Sequence, residues 1–434
     1  MRASYVLQRA LLPSGVAHDV AVTIEDGRFA EVSTSPGSSV EGERVSGLAL
    51  PGFANTHSHA FHRALRGRTQ HERGSFWTWR EQMYAAAERL DPDLYLRLAR
   101  ATYREMVAAG FTAVGEFHYL HHGPGGVAYD DPHAMSHALV EAARDAGIRL
   151  TLLDTCYLSS GFGAAPDGVQ RRYSDGTAAA WAERASGFVP GPGVVTGSAI
   201  HSVRAVPADQ LATVVTAAAG RPLHVHLSEQ RAENDACLTH HGVTPTRLLD
   251  EHGALGPLTT AVHATHLTPD DIARLGTSGT VAGFCPTTER DLGDGIGPSR
   301  RLHDAGSRVS LGSDSHAVID PFEEMRALEL DERLATEERG HWTARELVGC
   351  ATDHASLGVA DAGAIELGRR ADLVVVDTRS PRTAGTGADE HTAAFAATAA
   401  DVVWTMVDGQ IRFRQGERDD VGRELDRAIE EVWS

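Results

Sequence analysis

The sequence contains no lysine: all 40 of its basic residues other than histidine are arginine. That removes Schiff-base chemistry on lysine, lysine general bases and any pair of metal ions bridged by a carboxylated lysine. A histidine-bound metal in this chain is therefore expected to be mononuclear. Cysteine is scarce as well, with 4 residues (Cys156, Cys237, Cys285, Cys350) and no Cys-x-x-Cys spacing. Neither a disulfide framework nor a thiolate zinc site is indicated, and the four read as small buried hydrophobes. No apolar run approaches the roughly 20 residues that cross a bilayer. The opening residues 1–6 run straight into a strand-like pattern without a signal peptide's apolar core and small-residue cleavage site, so we expect a cytoplasmic protein. Positive charge is in deficit too: the formal net charge of −19 repels nucleic acid and anionic membranes at long range, and neither is expected as a partner.

What is present is ordinary for a globular chain, with 42% hydrophobic and 23% charged residues in 434. That length suits a (β/α)8 barrel, roughly 250 residues before insertions, with an appendage. Residues 1–49 read as short strands, including Val20–Ile24 and a turn at Glu25–Arg28. The far end, 361–434, repeats the style at Ala371–Asp377 and Val402–Ile411, and Ser380–Thr398 reads as a loop. Both termini are thus expected to build one small β-sandwich domain flanking a barrel over 50–360. In that middle, eight short apolar runs alternate with amphipathic segments: Leu50–Thr56, Thr112–Phe117, Arg149–Thr155, Val194–Ile200, Pro222–Leu227, Thr260–His263, Thr280–Phe284 and Arg308–Leu311. Helices are expected at Leu94–Ala109, His133–Ala146, Ala208–Ala219, Pro269–Leu275 and Phe322–Leu334. Eight alternations, with no Gly-x-Gly-x-x-Gly after the first strand, favour a closed barrel over an open dinucleotide-binding sheet.

A barrel of this kind carries its chemistry at the C-terminal strand ends, and the polar outliers fall there. Strand one ends in His57-x-His59. Residues at i and i+2 share a side only on an extended strand, so the pair can close on one ion. Strand five ends His224-Val225-His226-Leu227-Ser228-Glu229, placing His226 at the rim as a third ligand and His224 one layer deeper, as a core histidine. Strand six ends at His263 and strand eight runs into Gly312-Ser313-Asp314. Taken singly, each has a structural alternative: a glutamate that caps a helix, an aspartate that holds a turn, a histidine that satisfies a carbonyl. Together, three nitrogens and a carboxylate suit Zn²⁺ or another divalent ion with an open position for water, which implies hydrolysis.

These motifs resemble the amidohydrolase superfamily in its mononuclear aminohydrolase branch, and the likeness spans essentially the whole chain. Within it, Phe61–Arg68, Ser75–Tyr84, Glu116–His121 and His201–Val206 are similar to the formimidoylglutamate deiminase family, whose members hydrolyse N-formimino-L-glutamate to N-formyl-L-glutamate and ammonia in histidine breakdown. The resemblance implies one Zn²⁺ held by His57, His59, His226 and Asp314, with Asp314 also taking a proton from the attacking water. It implies that His263 orients that water and that Glu229 relays a proton to the leaving nitrogen. It further implies that Arg80, Arg204 and Tyr119 grip a dicarboxylate substrate, with His201 beside them; arginine forks pair bidentately with carboxylates. A structural alternative for Arg80 is stacking beside Trp77 and Trp79. Where the family carries glutamine, this chain has His62, whose neutral ring offers one donor and one acceptor, so this substrate contact is expected to differ. Deamination of a purine or pyrimidine, or of another formimino or guanidino acid, is the alternative activity. A non-catalytic scaffold would show broken ligand motifs, and these are complete. A homodimer is the default assembly.

Overall fold

The structure is a computed structural model that describes residues 2–34, 42–70, 74 and 76–434, without the side chains of Phe76 and Trp77. Seven strands form a mixed sheet built from both ends of the chain: β1 (Arg2–Leu12), β2 (Gly15–Glu25), β3 (Arg28–Ser33), β4 (Glu43–Pro51), β13 (Leu373–Val376), β14 (Val402–Val407) and β15 (Gln410–Arg414). Their order is β15-β14-β13-β4-β1-β2-β3, so the N- and C-terminal contributions meet where β13 pairs antiparallel with β4. Leu50 and Pro51, expected to open the first barrel strand, instead close β4 of this smaller sheet.

The second sheet holds eight parallel strands: β5 (Phe53–Ser58), β6 (Phe111–His118), β7 (Arg149–Cys156), β8 (Val195–Ile200), β9 (Leu223–Leu227), β10 (Thr259–His263), β11 (Val281–Phe284) and β12 (Val309–Leu311), in sequential order. Every residue of β6 and β7 is buried, as expected when helices cover one face of a parallel sheet and packed side chains fill the other. The helices follow their boundary chemistry. Pro92–Ala109 starts after Asp91, whose carboxylate accepts the Leu94 N–H at 2.8 Å, and stops at Gly110 in the left-handed region. Pro269–Ser278 has a capping box between Thr268 and Asp271.

Two features depart from the sequence expectation. The Ser380–Thr398 stretch contains a helix, Glu390–Phe395, capped by Asp389. The chain also ends in a helix, Arg418–Trp433, that buries Val421, Leu425, Ala428 and Val432 along one stripe, while its Glu424 takes Arg100 and Arg104 from the Pro92–Ala109 helix. The two sheets are tied by Arg149 of β7, which reaches Asp372 beside β13 at 2.8 and 3.1 Å and Asp408 at 2.7 Å. Among the described residues no helix is long and apolar enough to cross a membrane.

Candidate metal centre and substrate cleft

The barrel closes where β5 meets the loop after β12, bridged at Ser58 and Asp314. The Asp314 N–H donates to the His57 carbonyl at 3.0 Å and the His59 N–H to the Asp314 carbonyl at 3.4 Å. Gly312 permits this approach, because a Cβ there would sit 2.8 Å from the His57 nitrogen. Asp314, His263 and Ser228 adopt φ of 40°, 70° and 52°. Left-handed backbone in non-glycine residues is costly, and its concentration on this rim shows that the surrounding structure dictates where these side chains point.

Ligand atoms of His57, His59, His226 and Asp314 all lie within 4.8 Å of one another and are buried. His226 Nε2 is 3.1 Å from His57 Nε2, and Asp314 Oδ1 is 3.3 Å from Nε2 of both His57 and His59. The other nitrogens of His59 and His226 donate to the carbonyls of Phe117 and His201, each at 2.9 Å, which leaves the Nε2 lone pairs directed inward. Burial keeps the rings neutral: it takes His57 down to about 3 in spite of Asp314, and lowers His59 and His226 as well. Burial opposes ionisation of Asp314, but the imidazoles of His57, His263 and His59 hold its carboxyl below the usual range. Nitrogen lone pairs converging with a carboxylate fit a divalent cation, which would relieve their mutual repulsion.

Beside this cluster, His263 Nε2 lies 3.9 Å from Asp314 Oδ2 and 4.0 Å from Glu229 Oε1, while its Nδ1 is 3.4 Å from Glu289 Oε1. Burial disfavours the imidazolium, yet Glu229, the bond to Glu289 and Asp314 outweigh it and push His263 up to about 10. Burial biases Glu229 the other way, toward its protonated form. Glu289, on the helix Pro286–Leu292 that follows β11, was not foreseen; an acidic residue one turn into a helix carries no sequence mark of facing inward. His224 hydrogen-bonds the Ser356 carbonyl in the core, as its deeper register predicted.

The cluster floors a cleft lined by His59, His62, Arg80, Tyr119, His201, Arg204, His226, Glu229, His263 and Asp314, with Trp79, Tyr84, Tyr157 and Tyr173 on its walls. Residues from 59 to 314 in the chain therefore meet in one cavity, and His57, which does not line it, lies 3.1 Å from the lining residue His226. Among the described residues, Arg80 donates from Nε to the Tyr84 hydroxyl at 2.6 Å and lies over the Tyr84 ring at 5.1 Å. Ser75 and the side chain of Trp77 lie outside the described residues. Arg204 is oriented by Glu233, another residue the sequence reading missed, at 2.6 Å; the second Glu233 oxygen accepts the Ser228 N–H. His62 Nε2 stands 3.0 Å from the Tyr119 hydroxyl, and burial holds its ring neutral.

Comparison with known proteins agrees with this geometry. The sequence is 41% identical over 401 residues to formimidoylglutamate deiminase of Pseudomonas aeruginosa, covering 88% of each chain. It is 29% identical over 415 residues to a 5-methylthioadenosine/S-adenosylhomocysteine deaminase of Halobacterium salinarum, covering 92% of this chain and 89% of that one. A crystal structure of an amidohydrolase from Brucella melitensis superposes with a TM-score of 0.89 at 32% identity over all of both chains. A family model for the amidohydrolase family matches residues 48–412. With that match and the barrel described above, the chain belongs to the amidohydrolase family.

Proposed function

We infer that this chain hydrolyses N-formimino-L-glutamate to N-formyl-L-glutamate and ammonia, using one zinc ion held by His57, His59, His226 and Asp314. The observation that carries the substrate is the pairing, in one cleft, of that cluster with two guanidinium groups, Arg80 and Arg204. The relative that is 41% identical and carries that activity supports the same reading. A dicarboxylate needs two cationic forks, and a chain without lysine supplies them as arginine.

A bound ion of this type supplies Lewis acidity and makes hydroxide available at neutral pH. The residues do the rest. Asp314 accepts the proton of the attacking water as its oxygen adds to the formimino carbon. His263, held among Glu229, Glu289 and Asp314, orients that water and balances the charge that develops. Glu229, biased toward its protonated form, hands a proton to the imino nitrogen, and the proton taken up by Asp314 follows it; the C–N bond then breaks, the hydroxyl returns its proton to Glu229 as the carbonyl forms, and ammonia leaves. Arg204, Arg80 and Tyr119 hold the carboxylates, with His62 and His201 completing the wall.

Deamination of a purine or pyrimidine is the competing reading. A ring-reading pocket calls for amide groups on base edges and has little use for two guanidiniums. Ammonia release from N-formimino-L-glutamate, guanine and cytosine by the metal-loaded chain separates the two. Rapid release from the first alone is expected; release from a base and none from the first overturns the assignment.

A further inference from the structure

We propose that Glu116 is the positioning residue of the metal centre, holding both ligand-bearing edges of the barrel seam through one hydrogen-bond chain that it terminates. This rests on reading His57, His59 and Asp314 as metal ligands. Glu116 lies two residues before the end of β6, with its side chain wholly buried. One carboxylate oxygen accepts the Ser58 hydroxyl at 2.7 Å and the other accepts the Ala60 N–H at 2.7 Å. Those two donors stand on either side of His59.

The links run in series. The Ser58 hydroxyl donates to Glu116, and its oxygen lies 3.2 Å from His316 Nε2. His316 Nδ1 lies 3.0 Å from the Ser313 hydroxyl. Ser313 Oγ in turn accepts the Asn55 amide at 2.6 Å, and the Asn55 oxygen takes the Ser313 N–H at 2.9 Å. Asn55 and Ser58 belong to β5, whereas Ser313 and His316 belong to the loop after β12. His57 lies between the first pair and Asp314 between the second, so the chain that zips the seam also sets the spacing of the ligands. A glutamine at position 116 would offer one acceptor and one donor group to two fixed donors, and one bond must fail. Partners behind metal ligands commonly contribute 10–100-fold in metal affinity.

The test is zinc release from the loaded, full-length chain to a chromogenic chelator, with the melting temperature measured loaded and metal-free. Glu116→Gln and Ser58→Ala should each speed release by about 10–100-fold. The double variant should release no faster than about twofold beyond Glu116→Gln, because both break the same chain. The gap between loaded and metal-free melting temperatures should shrink in each; a purely structural role moves both temperatures together. Ser58→Ala removes one hydroxyl and keeps the question open to measurement should Glu116→Gln fold poorly. Wild-type release rates in Ser58→Ala, or effects that simply multiply in the double variant, overturn the proposal. A wild-type chain that takes up no metal overturns the ligand assignment and this proposal with it.

Discussion

The Asp314 N–H is bound to the His57 carbonyl at 3.0 Å, so two proposed metal ligands 257 positions apart are joined by main chain. Barrel closure and assembly of the proposed metal site are therefore one structural event. The backbone supplies the spacing, and left-handed φ at Asp314 supplies the aim.

Replacing Asp314 with Asn keeps the shape and removes the proposed proton acceptor. Turnover should fall by at least about 10³-fold while circular dichroism stays native. The measurement is kcat per bound metal; a variant that retains metal and most of its kcat overturns this role.

The two arginines should separate. A charged hydrogen bond is worth roughly 1.5–3 kcal/mol, so Arg80→Met should lower kcat/KM by about 10–100-fold. Arg204→Met should cost more and also lower the melting temperature, because it strands the buried Glu233 carboxylate without its cation. Steady-state kinetics with scanning calorimetry distinguish the two losses.

His62 and Tyr119 face each other at 3.0 Å. Glutamine at 62 can still partner the phenol, so His62→Gln should alter kcat/KM by no more than about tenfold, the scale of one neutral hydrogen bond. A larger change would show that the imidazole contacts substrate directly. Adding Tyr119→Phe should then have a different effect in each background, read from a double-mutant cycle.

Metal removal should abolish turnover and lower the melting temperature, since an ion bound only by the native state stabilises by about 4 kcal/mol at a thousandfold excess over Kd. Readdition of Zn²⁺ should restore both. Chelator-treated protein that remains active would exclude a metal-dependent reaction.

Acid stability should depend on Asp372. Burial alone would raise its carboxyl, but Arg149 beside it wins and holds it below the usual range. A depressed folded-state pKa means that the native state binds fewer protons than the unfolded chain. Its contribution is complete above the unfolded value of about 3.9 and is lost as pH falls through the folded one. Asp372→Asn should lower stability at pH 7 by about 3 kcal/mol and flatten the loss below pH 4. An unchanged acid limb in denaturation curves would remove Asp372 from that account.

Much of this chemistry was legible in one dimension. The His57-x-His59 pair declares itself because strand geometry puts i and i+2 on one side. His226, His263 and Asp314 declare themselves as polar residues at the ends of apolar runs, and the missing lysine excludes a metal pair bridged by a carboxylated lysine. The eight strands were legible because residues buried on both faces form short continuous apolar segments. The final helix Arg418–Trp433 was not, since its stripe of Val421, Leu425, Ala428 and Val432 follows a β-rich stretch and is sparse among charged residues.

Residue types and local period thus determine which side chains can bind a metal, which elements carry them, and that the chemistry is hydrolytic. They do not determine who stands behind them. Glu116, Glu233, Glu289 and the Asn55–Ser313 pair look like any other buried or capping polar residues in sequence, because their roles depend on partners tens or hundreds of positions away. Only closure of the barrel brings those partners within hydrogen-bonding distance, and with them the ring tautomers, the proton held on His263 and the aim of the ligands.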